Sequence, residues 1–126
     1  MSRLLVVCPG RGSYSKETLG SLRKTPSVVA ADAFRARLGR PTPTEMDAVE
    51  AMSSRLHVAG ENASILTMAA SLADHDALDP SHVVAVVGNS MGWYTALAVA
   101  GALPLESAFH LVETMGQYQV DNVIGG

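Results

Sequence analysis

Charge is scarce in this sequence. Asp, Glu, Lys and Arg make up 17% of its 126 residues, 9 basic against 12 acidic, for a net charge of −3, where an average domain carries about 25% charged residues. No basic run is longer than Arg23-Lys24, so the chain lacks the electrostatic footprint that a nucleic-acid partner requires. Cysteine occurs once, at Cys8, which rules out an intrachain disulfide and makes a reducing cytoplasm the expected compartment. The apolar stretches Leu4–Cys8 and Val83–Val87 are five residues each, far short of the ~20 needed to cross a bilayer or the ~7 to 15 of a secretory signal core. No repeat, low-complexity tract or interdomain linker breaks the chain, and no metal-ligand set is assigned. With 48% hydrophobic residues, a chain of this length buries roughly two-thirds of its unfolded surface. Residues 1–126 therefore read as one folded unit, and its low charge suggests a surface that is partly covered.

Leu4-Leu5-Val6-Val7-Cys8, closed by Pro9-Gly10, reads as a strand buried on both faces, as in parallel sheets. A loop, Gly10-Arg11-Gly12-Ser13, follows. Helices are expected over 15–24 and over 27–39, the second ending at Gly39. Arg40-Pro41-Thr42-Pro43 interrupts the chain. A short helix is expected over 44–54, with Thr44 as its cap and Glu45 and Asp47 placed for the helix dipole. Another is expected over 61–73, with Ile65, Leu66, Met68, Ala69 and Leu72 on an apolar stripe. The β-branched run His82–Val87 reads as a second strand. It leads through Gly88-Asn89-Ser90-Met91-Gly92 into a helix over 94–100, and Pro104 and Glu106 open a last helix to about Tyr118. Strands separated by helices imply an α/β layer arrangement with parallel strands. Two strands are few for a stable sheet. The sequence stops at Val123-Ile124-Gly125-Gly126, where a third apolar segment would begin, so a truncated or cleaved piece of a larger protein is expected.

Gly88-Asn89-Ser90-Met91-Gly92 fits the nucleophile elbow G-x-S-x-G in the required context of strand, sharp turn and helix. The glycines permit the tight turn, and Ser90 is left with its hydroxyl projecting from the sheet top. Attack by that hydroxyl creates an oxyanion. The Met91 N–H, at the helix start, is placed to receive it. A second N–H is expected from the Gly10-Arg11-Gly12 loop, because loops at the carboxyl ends of adjacent strands meet at one sheet edge. Ser90 as a mere helix cap is the competing reading. A serine nucleophile also needs a base. Only His110 follows Ser90, in the middle of a helix. His82 starts the strand at the end opposite the elbow, and His57 and His75 read as solvated, so no base is evident.

These residues resemble the malonyl-CoA:acyl carrier protein transacylase family, which includes the acyltransferase domains of fatty-acid and polyketide synthases. Cys8-Pro9-Gly10-Arg11-Gly12-Ser13 is similar to the family's opening F-P-G-Q-G-S. Residues 87–103, Val-Gly-Asn-Ser-Met-Gly-Trp-Tyr-Thr-Ala-Leu-Ala-Val-Ala-Gly-Ala-Leu, resemble its G-H-S-x-G-E-Y-x-A-L-x-x-A-G-x-L segment. Residues 108–116 follow its A-x-x-L-V-x-x-R-G, and Ile65-Leu66-Thr67 resembles the segment before the second strand. The likeness implies that residues 1–126 are the N-terminal part of a hydrolase-like α/β large subdomain, with an inserted ferredoxin-like subdomain not covered by this chain. It implies that Ser90 takes an acyl group from coenzyme A and passes it to the phosphopantetheine thiol of an acyl carrier protein, in fatty-acid or polyketide biosynthesis. These thioesters are substrates; no cofactor is implied. Met91 and Arg11 would give the oxyanion N–H groups, and Asn89, Trp93 and Met115 would border the acyl pocket. The histidine base would come from a later segment of the same enzyme.

Four positions depart from the family pattern: Arg11 replaces Gln, Asn89 replaces His, Trp93 replaces Glu, and Met115 replaces the arginine that pairs with the malonyl carboxylate. A carboxylate buried without its partner costs roughly 2 to 5 kcal/mol, so Met115 favours a neutral acyl group. Arg11, turned into the pocket, would instead hold a carboxylate from the opposite wall. An acyl-carrier hydrolase, with water as acceptor, and a non-catalytic relative that binds carrier or partner are the alternatives.

Overall fold

The computed structural model describes residues 2–122; the apolar segment anticipated at 123–126 lies outside them. The chain is mixed α/β, with helices far outweighing strands. Strand β1 (Leu4–Cys8) and strand β2 (Val83–Gly88) pair in parallel, Leu5 opposite Ala85 and Cys8 opposite Gly88. Between them run helices α1 (Pro26–Arg37), α2 (Pro43–Asp47) and α3 (Gly60–Asp76). Helices α4 (Gly92–Val99) and α5 (Leu105–Asp121) follow β2.

Helix α1 starts where Thr25 accepts the Val28 N–H and Pro26 supplies a preset φ. It buries Val28, Ala31 and Phe34 against Ile65, Leu66, Ala69 and Leu72 of α3 and Phe109 and Val112 of α5. Arg35, fully buried, crosses this helical layer. Its Nη1 donates to the Glu113 carboxylate at 2.9 Å and to the Glu61 carbonyl, and its Nε to the Pro41 carbonyl. The pair thereby ties α1, α3 and α5 with its hydrogen-bonding capacity largely used.

Three expectations are corrected. Residues 15–24 are not helical. Leu19 N–H returns to Ser15 in a single turn, Gly20 then takes φ +84, and the chain wraps around the buried Asp47 carboxylate. That carboxylate accepts the Tyr14 hydroxyl and the N–H groups of Gly20 (2.9 Å) and Leu22 (3.1 Å), a set no continuous helix would present. The helix expected over 44–54 is only five residues long and is capped by Thr42, not Thr44: Thr42 and Glu45 form a reciprocal capping box. Residues 48–53 are turn and irregular chain, and a π-helical turn over Ser54–Val58 follows them. Finally, the strands are not buried on both faces. Leu5, Val7 and Val84 are 60%, 62% and 56% exposed, because α4 packs against the sheet and the other face has no layer over it among the described residues.

Candidate active site

The link from β2 to α4 is built by close approach. A Cβ on Gly92 would stand 2.1 Å from the Cys8 carbonyl oxygen, and one on Gly88 would stand 2.3 Å from the Trp93 nitrogen. Only glycine lets α4 begin this near the end of the sheet. Asn89 N–H donates to the Cys8 carbonyl (3.0 Å), and the first turn closes as Gly92 N–H returns to Asn89 and Trp93 N–H to Ser90. The residue forced into the left-handed region is Ser90, at φ +54, alone among the described non-glycine residues. A serine there is strained. Its side chain is exposed at the mouth of a cavity of about 400 Å³ lined by Arg11, Ser64, Ser90, Met91, Tyr94 and Gln119.

The loop after β1 closes on this turn: a Cβ on Gly10 would lie 3.1 Å from that of Ser90. The amide N–H groups of Met91 and Arg11 have no hydrogen-bond partner among the described residues. Met91 is the N-cap of α4, and both residues line the cavity with Ser90; uncommitted backbone N–H groups at a helix N-terminus are donors of the kind that oxyanion holes use. The Arg11 side chain crosses to α5, where its Nη1 donates to Gln119 Oε1 at 3.0 Å. Among the described residues Arg11 is the one formally charged group in the lining. Cys8 is buried at the end of β1; desolvation pushes its thiol above its ordinary range, which leaves it a poor competitor of Ser90.

Of the residues singled out in the sequence, Arg11, Ser90 and Met91 meet at the cavity. Asn89, Trp93 and Met115 do not line it, and the Trp93 side chain is half exposed. Ser64, Tyr94 and Gln119 had not been singled out. Tyr94 was accessible to helical periodicity, since it lies one turn beyond Ser90; Ser64 and Gln119 arrive only through tertiary packing. None of the four histidines lines the cavity among the described residues. His110 sits edge-on to Phe34 at 4.9 Å, and His82 faces Asp79. His57 is buried, contrary to expectation: its Nδ1 accepts the Ser53 N–H at 3.0 Å, so Nε2 carries the proton and donates to the Met46 carbonyl at 2.8 Å. Compared with family models, curated proteins and solved structures, the chain matches none.

Proposed function

We propose that this chain is the N-terminal part of a hydrolase-like acyltransferase in which Ser90 carries an acyl group from coenzyme A to an acyl carrier protein. The observation that carries the reading is the strained φ of Ser90 at a strand-to-helix elbow beside two uncommitted amide N–H groups. Strain at a residue that could have been glycine needs a reason, and an exposed nucleophile is one. The resemblance of the two glycine-containing loops to the transacylase family's opening and nucleophile segments supports the same reading. So does the uncovered apolar face of the sheet, since a hydrolase-like sheet continues beyond two strands and is covered on both sides.

In the proposed step the Ser90 oxygen attacks the thioester carbon. The Met91 and Arg11 N–H groups hold the resulting oxyanion, the carbon–sulfur bond breaks, and the serine proton ends on the coenzyme A thiol. Attack by a carrier thiol on the acyl-serine reverses these events and restores the hydroxyl. The base that relays the proton comes from outside the described residues, as in the family resembled. The test is intact-mass analysis of the chain with acyl-coenzyme A thioesters, with imidazole added as a surrogate base. A single acyl adduct that vanishes in Ser90→Ala supports the reading, and equal labelling of that variant refutes it. Transfer of the label to carrier thiol, as opposed to release of free acid, separates transferase from hydrolase.

A further inference from the structure

We propose that a second cavity, apart from Ser90, binds a small phosphate monoester that carries hydroxyl groups. This cavity encloses about 500 Å³ between the chain following α1, the π-helical turn and the first turn of α3, and no residue lines both it and the serine cavity. The proposal is independent of the acyl-serine reading. It starts from Glu113, whose carboxylate accepts from two guanidiniums, that of the buried Arg35 at 2.9 Å and that of Arg40 at 2.7 Å. Arg35 alone balances the charge of Glu113, so the positive charge of Arg40 is uncompensated there. A guanidinium has five N–H donors. Two of those on Arg40 are engaged, at Glu113 and at Gln117 Oε1 (2.9 Å), and the others have no acceptor among the described residues.

Further donors line the same space. Arg55, exposed on the π-helical turn, has no side-chain partner among the described residues. The Ser53 hydroxyl oxygen accepts the Leu56 N–H (3.2 Å), which leaves its own proton free. Asn62 is 9% exposed, and a charged donor fixes its amide: Oδ1 accepts from Arg35 Nη2 at 2.5 Å, so Nδ2 is the end left without an acceptor, on a residue that lines the cavity. Helix α3 starts at Gly60 with no side-chain cap, which leaves the positive end of its dipole beside these donors. Donors arriving from three segments suit tetrahedral phosphate better than planar carboxylate, and guanidiniums pair bidentately with it. Pro41 and Leu56 give an apolar wall for the carbon part of an ester. Glu61 is the one carboxylate in the lining among the described residues; it disfavours a bare anion and favours one whose hydroxyl groups it can accept from.

Titration of the full chain with ribose 5-phosphate, followed by amide chemical shifts, tests this, with ribose, acetate and inorganic phosphate alongside. Saturable shifts at Leu56 and Asn62 are expected with ribose 5-phosphate and, more weakly, with inorganic phosphate, and none with ribose. Arg55→Gln, a change at an exposed position, should weaken binding about 10-fold, the loss expected of one charge-assisted contact, and Arg55→Lys should restore part of it. Glu61→Gln should tighten the binding of inorganic phosphate. Both Arg55→Gln and Glu61→Gln should leave labelling of Ser90 by acyl-coenzyme A as it is in the parent. No saturable binding of ribose 5-phosphate, equal binding of acetate, or an affinity unmoved by Arg55→Gln in a folded sample would overturn the proposal. Labelling that slows with Arg55→Gln would assign the cavity to the acyl donor and overturn it as a separate site. Ribose 5-phosphate binding that Arg55→Gln weakens, with no labelling of Ser90 by any thioester, would retain this site and discard the acyl-serine chemistry.

Discussion

Ser90 carries the clearest conflict between local preference and observed structure. A non-glycine residue in the left-handed region costs about 1–2 kcal/mol, and glycine, though free of that cost, loses about 0.5–1 kcal/mol more in chain entropy on folding. Ser90→Gly should therefore raise stability by up to about 1 kcal/mol in urea denaturation while abolishing acylation, whereas Ser90→Ala should abolish acylation with no such gain. A Ser90→Gly variant less stable than the parent would show that the serine side chain holds the elbow together and that the strain has a structural cause. The serine itself was legible in the sequence, because G-x-S-x-G fell between a β-branched run and a helix-forming one. Its positive φ follows from that motif. The inward turn of Arg11 does not, since it depends on Gln119, 108 positions away.

The elements were legible where periodicity and capping agreed and were missed where one buried side chain organised its surroundings. Helices α1, α3 and α5 follow the apolar spacing within a few residues at each end. The 15–24 segment has helix-compatible residues but is shaped by Asp47, whose carboxylate makes bonds that no local pattern announces. That contact also affects Tyr14. Burial first, and then its hydrogen bond to Asp47, raise the phenol's pKa well above its ordinary value, so Tyr14 remains neutral and donating through the physiological range. A second carboxylate joins two helices. Asp76, at the end of α3, accepts the backbone N–H (3.0 Å) and hydroxyl (2.8 Å) of Ser27 at the start of α1. Burial opposes its charge, but the Thr25 and Ser27 hydrogen bonds outweigh this and hold the carboxyl below its ordinary range. With its folded-state pKa lowered, Asp76 contributes stability above the unfolded value of about 3.9, and that contribution is lost as pH falls through the folded value. Asp76→Asn should be less stable than the parent at pH 7, with the gap narrowing towards pH 3. A gap independent of pH would place the Asp76 contribution elsewhere.

For the whole molecule, low charge and exposed apolar surface have a common structural setting. Leu5, Val7 and Val84 lie exposed on the two strands, and Trp93 is 52% exposed in the first turn of α4. Large exposed apolar patches are uncommon on monomeric proteins, and parallel strands are ordinarily covered on both faces. The low charge was readable from composition, but which surface it concerned was not. Both strands have continuous apolar runs, and a run of that kind does not say which of its faces goes uncovered. Because these side chains are already exposed, the double substitution Leu5→Lys, Val7→Lys should reduce 1-anilinonaphthalene-8-sulfonate fluorescence markedly while shifting the unfolding midpoint by no more than about 2 °C. A large loss of stability would mean that the face is packed in solution. The nucleophilic role proposed for Ser90 is tested most directly by intact-protein mass spectrometry with peptide mapping. The chain would be incubated with acetyl-, malonyl-, succinyl- and butyryl-coenzyme A and imidazole, with Ser90→Ala alongside. One acyl adduct is expected, on the peptide containing Ser90 and absent from the variant; an adduct on another residue, or none from any thioester, would contradict a nucleophilic Ser90.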